Sequence, residues 1–188
     1  MIVGIDYGSK VAGTTVICYP KNETLVFHQS KKKEDADKMI IEWVEQNTPS
    51  VIMLDAPLSL PKVYTKPSSQ SSYHYRECDR ELKAMSPMFL GGLTARAMQL
   101  RANLSAYEIY ETYPKQVLNH RFADLKEFYK DDIELFSAKL SERLPLPFHQ
   151  SPKNWHQVDS SLAWYAGYLF DIGTGDSVGD NTEGVILY

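Results

Sequence analysis

Two aspartates in this sequence stand at the ends of apolar segments that have the composition of buried strands. Asp6 follows the run MIVGI, and Asp55 follows the run SVIML. A single carboxylate at the end of a strand is most often a turn or cap residue, and Asp55, which precedes Ala-Pro, could equally accept a hydrogen bond in an Asx turn. Two carboxylates at the same place repel each other unless a cation or a proton separates them. The chemistry of this pair therefore depends on whether the fold brings the two together.

The first third of the chain predicts elements that would do so. The segments MIVGIDYG, GTTVICYP and ETLVFHQS read as three strands, EDADKMIIEWVEQN as an amphipathic helix, and SVIMLD as a fourth strand. A right-handed crossover through the helix places the fourth strand beside the first. Neighbouring strands are about 4.8 Å apart, so both aspartates would reach the carboxyl edge of the sheet, where open α/β sheets bind ligands.

Two further acids are predicted to reach this edge. Glu111 lies near the carboxyl end of the short aromatic strand AYEIYETYP, and Asp159 lies on the helix of NWHQVDSSLAWYAGYLFDIG. Ala163 and Ala166 follow Asp159 on the same side of that helix, and small residues allow a helix to lie close to a sheet. The alternative for Asp159 is a local pair with His156, one turn earlier. Clustered carboxylates are the hard oxygen ligands that Mg²⁺ or Mn²⁺ prefers.

The order of the motifs GIDYGS, LDAPLSLP, YRECDRE, YEIYETYP, VDSSLAWYAGYL and EGVI resembles the domain-of-unknown-function 429 family, predicted nucleases with a ribonuclease H-like fold. The resemblance extends over nearly the whole chain. It implies an α/β protein with a ribonuclease H-like fold. For this fold the three-strand meander, the crossover and the doubly apolar strands predict a mixed five-stranded sheet, in the order 3-2-1-4-5, flanked by helices. The resemblance also implies a catalytic and metal-binding set of four acids: Asp6, Asp55, Glu111 and Asp159.

Length and composition indicate the number of domains and the class of protein. A chain of 188 residues, 43% of them hydrophobic, predicts a single domain over residues 1–188, with a helical insertion at about 62–105 that begins in a Pro/Ser-rich loop. Two cysteines without a disulfide pattern predict reduced thiols and a cytoplasmic protein. No apolar run approaches the length of a membrane span, so no membrane partner is expected.

The net charge of −4 argues against a general electrostatic coat for nucleic acid, but a local basic surface remains compatible with it. We expect nucleic-acid contact, if any, to depend on four arginines near the acidic site: Arg76, Arg80, Arg96 and Arg101. The alternative for the charged helix that carries Arg76 and Arg80 is a solvated ion-pair face.

Together these patterns predict a nuclease that hydrolyses phosphodiester bonds by a two-metal mechanism, in which Asp6 bridges two cations. A non-catalytic ribonuclease H-like domain that binds nucleic acid or another ligand is the main alternative. The segment GIDYGSKVAGTTV also resembles the phosphate-binding start of the actin and sugar-kinase fold, but that fold needs two such domains and this chain has the length of one. The sequence leaves open the type of nucleic acid and the oligomeric state.

Overall fold

The computed structural model describes residues 1–67 and 72–188 and contains one mixed sheet of seven strands. The strands are β1 (Ile2–Asp6), β2 (Val16–Lys21), β3 (Thr24–Gln29), β4 (Val51–Asp55), β5 (Glu108–Thr112), β6 (Ser177–Asp180) and β7 (Gly184–Leu187). Their order in the sheet is β3-β2-β1-β4-β5-β7-β6. The strands β1, β4, β5 and β7 are parallel to one another, and β2 is antiparallel to both of its neighbours.

The predicted α/β class, a mixed sheet flanked by helices, is confirmed, including the core order 3-2-1-4-5 with β1 at its centre. The prediction of five strands is corrected to seven. The hairpin β6–β7 extends the sheet beyond β5, where β7 pairs only with Glu111 and Thr112. Strand β6 carries a single buried residue, Val178, so it lacks the apolar alternation from which a strand can be predicted.

Residues 1–67 and 72–188 contain seven α-helices, distributed over the two faces of the sheet. They are α1 (Ala36–Asn47), α2 (Glu77–Leu82), α3 (Pro87–Leu90), α4 (Gly92–Asn103), α5 (Pro114–Arg121), α6 (Ile133–Ser141) and α7 (Trp155–Asp171). Short 3-10 helices span Lys62–Tyr64 and Ala123–Phe128. Apolar side chains of α1 and α4 form one core layer with the sheet, and those of α5, α6 and α7 form the other.

The segment between β4 and β5 carries α2, α3 and α4, which lie within the predicted insertion at about 62–105. Residues 68–71 of its Pro/Ser-rich loop lie outside the described residues. None of the helices in the described ranges combines the length and the apolar character needed to cross a bilayer.

Helix α7 crosses the centre of the sheet at two glycines. A Cβ atom at Gly4 of β1 would lie 2.4 Å from the Ser160 carbonyl oxygen and 2.0 Å from the Trp164 nitrogen. On the helix side, a Cβ atom at Gly167 would lie 2.7 Å from the Met53 side chain. Because neither contact leaves room for a side chain, the glycines set how closely α7 approaches β1 and β4. The first turns of α7 thereby lie over the carboxyl ends of these strands.

Candidate functional site

Asp6 and Asp55 are direct neighbours in the sheet. The parallel ladder between β1 and β4 pairs Gly4 with Met53 and Asp6 with Asp55. Side chains alternate along a strand, so both carboxylates leave the sheet on the same face as Gly4, which is the face covered by α7. The structure therefore has the adjacency of these two strands that the sequence predicts.

Helix α7 adds two residues to this edge, one of which the sequence analysis did not select for the site. Nδ1 of His156 is 2.7 Å from Oδ2 of Asp6, and the Tyr129 hydroxyl donates a 2.6 Å hydrogen bond to Oδ1 of Asp159. The local pair of His156 with Asp159 is not formed, because each side chain is hydrogen-bonded to another residue. The three-residue spacing of His156 and Asp159 on α7, which puts both on one helix face, was the signal that could have identified His156.

The start of α7 is fixed to the sheet by amide side chains. Asn154 caps the helix by accepting a hydrogen bond from the Gln157 backbone N–H. The side-chain amides of both residues also donate to Oε1 of Gln29, at the end of β3, at 3.1 and 3.0 Å. These contacts hold the first turn of the helix, and with it His156, over the strand ends.

We call Asp6, Asp55 and Asp159 the aspartate cluster. Burial raises the pKa of all three, and for Asp159 the raised pKa is about 6. The negative charges of Asp6 and Asp159 raise the pKa of Asp55 further. Within residues 1–67 and 72–188, no hydrogen bond or ion pair reaches the Asp55 carboxylate. The three carboxylates therefore take up a proton or a cation more readily than isolated aspartates do.

His156 offsets part of this charge. Its hydrogen bond to Asp6 raises the pKa of the imidazole, and the same contact opposes the effect of burial on Asp6. A protonated His156 would give Asp6 a charged partner, but the imidazole is 44% exposed and does not reach Asp55.

Glu111 is not part of the aspartate cluster. It pairs in register with Leu54, one residue before Asp55, so its side chain leaves the sheet on the opposite face, with Ile109. Its two carboxylate oxygens accept hydrogen bonds of 2.7 and 2.6 Å from the Arg76 guanidinium, and the Leu58 backbone N–H adds a third at 2.9 Å. This placement departs from the predicted set of four acids.

Arg76 also departs from its predicted role. The residue is fully buried, and its guanidinium bonds Asp79 as well as Glu111, with a shortest contact to Asp79 of 2.6 Å. The two carboxylates raise the pKa of Arg76. A guanidinium with no exposed surface and two carboxylate partners cannot contact a phosphate in this conformation, so the interpretation of Arg76 as a nucleic-acid contact is corrected. The solvated ion-pair alternative also fails here, because the pair is buried.

The other three predicted arginines lie in different surroundings. Arg96 bonds the carboxylate of Asp37 through two nitrogens, at 3.0 and 2.7 Å, and lies 4.8 Å from the ring centre of Tyr7. Arg96 thus connects α4 to α1 and to the loop after β1. Arg80 and Arg101 are exposed, so their guanidinium groups remain accessible to a solvent-borne ligand.

The donor set of the site has the chemistry of a hard divalent cation. The aspartate cluster supplies carboxylate oxygens, the ligand type that Mg²⁺ and Mn²⁺ prefer, and His156 places an imidazole nitrogen beside them. Across the described ranges, no three His, Cys, Asp or Glu side chains converge closely enough to hold one ion in this conformation. Cation binding would therefore require side-chain rotation that releases Asp6 from His156 or Asp159 from Tyr129.

Comparisons with known proteins give a likeness at the level of structure only. No family model matches the chain, and no curated protein matches it. The solved structures that resemble it include Thermus thermophilus RuvC in complex with a Holliday junction substrate, with 15% identity and a TM-score of 0.48. They also include a structure described as that of Thermus thermophilus RuvC, with 14% identity and a TM-score of 0.45. Each comparison covers 92% of this chain and 96% of the RuvC chain.

Proposed function

We propose that this protein is a divalent-cation-dependent nuclease whose site is the aspartate cluster together with His156. The observation that carries the proposal is the register of β1 and β4, which places Asp6 and Asp55 side by side on the face that α7 covers. The α7 residues His156 and Asp159 lie at the same edge. Carboxylates in this arrangement, with little compensating charge, favour binding of Mg²⁺ or Mn²⁺.

In the proposed site, Asp6, Asp55 and Asp159 would hold the cation. A bound divalent cation supplies charge neutralisation for a phosphodiester and activation of water. The two-metal form remains part of the proposal: the aspartate cluster and His156 would hold the cations, and Glu111 is left out of the set. We propose for Glu111 and Arg76 a supporting role: their ion pair fixes Leu58 and the chain that leaves β4 after Asp55.

The substrate class follows from the same chemistry. Two-cation carboxylate sites suit displacement at a phosphodiester, and the exposed Arg80 and Arg101 are available for contact with a nucleic-acid backbone. Because the net charge of the chain is −4, we expect this contact to be local. DNA and RNA in single-stranded, duplex and branched forms are all candidate substrates in the test.

A non-catalytic binding domain is the second candidate function. It is favoured by the resting positions of the site side chains, since Asp6 is bonded to His156 and Asp159 to Tyr129. Such a domain would bind a cation or a nucleic acid and release it unchanged.

Cleavage assays with Mn²⁺ on a panel of DNA and RNA substrates test the proposal. We expect wild type to cleave at least one substrate. The cleavage rate of Asp55→Asn should be more than about a hundredfold lower, which exceeds the roughly 10–100-fold loss typical of residues that only support a metal ligand. Asp171→Asn is the matched control, because Asp171 is an exposed acid at the far end of the same helix. Full activity of Asp55→Asn would contradict the site assignment, and binding of Mn²⁺ without cleavage of any substrate would favour the second candidate.

A further inference from the structure

A lysine lies beside the aspartate cluster without being locked into it. Nζ of Lys130 is 4.0 Å from Oδ2 of Asp159, at the outer limit of an ion pair, and the lysine side chain is 60% exposed. Burial raises the pKa of all three aspartates of the cluster, and the positive charge of Lys130 opposes that rise at each of them. The charge of Lys130 therefore acts on all three aspartates, although its only direct contact within the cluster is with Asp159.

The backbone that carries Lys130 is fixed by its neighbours. The ring of Tyr129 packs between Phe136 and Trp155, with ring centres 5.7 and 5.2 Å away. The next two backbone N–H groups after Lys130, of Asp131 and Asp132, both donate to the Phe128 carbonyl. Since Tyr129 is also bonded to Asp159, the base of the lysine side chain is held at a constant place. Its ammonium group lies 5.0 Å from the ring centre of Tyr129 and has no closer ion-pair partner than Asp159 in the described parts of the chain.

The conformation of Lys130 is unusual for its residue type. Its φ is 65°, in the left-handed region where glycine and asparagine are the common residues. The turn by itself would be better served by either of those residues. Lys33 and Lys83 also have positive φ values, of 70° and 54°, so the conformation alone does not account for a lysine. It fixes the point from which the Lys130 side chain reaches the edge of the aspartate cluster.

We propose that Lys130 is a tethered counter-ion of the aspartate cluster and that a divalent cation displaces its ammonium group on binding. The inference rests on the cation site of the proposed function. It adds that the resting protein already holds an exposed positive charge beside Asp159, one of the proposed cation ligands. The apparent affinity for the cation is then weaker than the three carboxylates alone would give, and the displaced ammonium remains tethered at the mouth of the site.

Titration of the metal-free protein with Mn²⁺ alone, by calorimetry and without nucleic acid, tests this inference. Lys130→Asn keeps a residue suited to the left-handed turn and removes the charge, and we expect it to bind Mn²⁺ about tenfold more tightly than wild type, because a repulsion between like charges is lost. Lys130→Arg should bind as wild type does. Lys139→Gln is the matched control, since Lys139 is a nearby lysine whose Nζ lies 5.5 Å from the ring centre of Phe128 instead of beside the aspartates.

Equal or weaker Mn²⁺ affinity of Lys130→Asn, in a variant that circular dichroism shows to be folded, would overturn the inference. If wild type binds no Mn²⁺, binding by Lys130→Asn still supports it, and absence of binding in both overturns it. The result is independent of catalysis: a protein that cleaves nothing but binds Mn²⁺ more tightly as Lys130→Asn would refute the nuclease proposal and leave the counter-ion role in place.

Discussion

Two acidic centres lie at the same edge of the sheet, on opposite faces, and their carboxylates have different partners. On one face, Glu111 is buried with Arg76, which also bonds Asp79. On the α7 face, Asp6 and Asp55 lie side by side, and Asp55 receives no hydrogen bond from the described parts of the chain. In the first centre a buried guanidinium is bonded to both carboxylates, whereas in the second no guanidinium or ammonium group is bonded to Asp55 in the described parts of the chain.

A difference of one residue in register places the Glu111 and Asp55 side chains on opposite faces of the sheet and gives them different partners. Burial raises the pKa of Glu111 too, but the Arg76 hydrogen bonds and the Leu58 N–H oppose that rise. Burial raises the pKa of Asp55 with no hydrogen bond to oppose it, and neighbouring carboxylates raise it further. A buried carboxylate with a fixed guanidinium partner stabilises one conformation, while a carboxylate without such a partner favours an external cation.

The largest expected effect of this comparison is on stability. Arg76→Met leaves Glu111 and Asp79 buried without their partner, and removal of one member of a buried ion pair costs about 3 to 5 kcal/mol of unfolding free energy. Urea unfolding followed by circular dichroism measures the loss. Arg80→Met is the control, because Arg80 is exposed on the same helix and its replacement should change the unfolding free energy by less than about 0.5 kcal/mol. Similar losses for both variants would contradict the assignment of Arg76 as a buried structural residue.

The aspartate cluster predicts a smaller effect that depends on pH. Asp159 has an ordinary pKa of 3.8 and a pKa of about 6 in the folded protein, so the folded state binds the proton more tightly than the unfolded state. Its contribution to stability is fully present below about pH 4 and is lost as pH rises through about 6, with a total of about 1 to 3 kcal/mol. Urea unfolding in chelator at several pH values, for wild type and Asp159→Asn, measures the difference between them.

Asp159→Asn should flatten this dependence, because the variant carries no group that titrates at that position. The raised pKa values of Asp6, Asp55 and His156 act in the same direction, so some dependence should remain in the variant. An Asp159→Asn protein with the pH profile of wild type would show that Asp159 is not part of the uncompensated charge.

The sequence was sufficient to predict the neighbours Asp6 and Asp55, because doubly apolar strands joined by a helix follow the right-handed crossover rule. It was not sufficient to place Glu111, whose face depends on the register between β4 and β5. A shift of one residue exchanges the two faces, and nothing within the strand sequence fixes that shift. A selection of acidic residues alone also leaves out His156, whose partner Asp6 lies 150 residues earlier in the chain.

The arginines show the same dependence on tertiary structure. Arg76 and Arg80 lie one helical turn apart in a charged segment, and only the packing of α2 against the sheet buries the first and exposes the second. The prediction of local nucleic-acid contact is therefore narrowed to the exposed pair, Arg80 and Arg101, with Arg96 occupied by Asp37.

The smallest expected effect concerns this exposed pair. Arg80→Gln and Arg101→Gln should each remove one phosphate contact. The slope of log affinity against log salt concentration should therefore become shallower by about 1 for each variant. Arg96→Gln should change it less, since its guanidinium already has a carboxylate partner. Binding to a fluorescent oligonucleotide at several salt concentrations measures the slope, and unchanged slopes for both Arg80→Gln and Arg101→Gln would exclude these arginines from the interface.

Thermal unfolding in chelator and in Mn²⁺, with wild type, Asp55→Asn and Glu111→Gln side by side, tests the central claim most directly. At a cation concentration of one hundred times its dissociation constant, wild type should gain about 5 to 10 °C in melting temperature. Asp55→Asn should be more stable than wild type in chelator and should lose most of the Mn²⁺ response. Glu111→Gln should be less stable in both conditions and should keep the response. A Glu111→Gln protein that loses the Mn²⁺ response, or an Asp55→Asn protein that keeps it, would contradict the assignment of the cation to the α7 face.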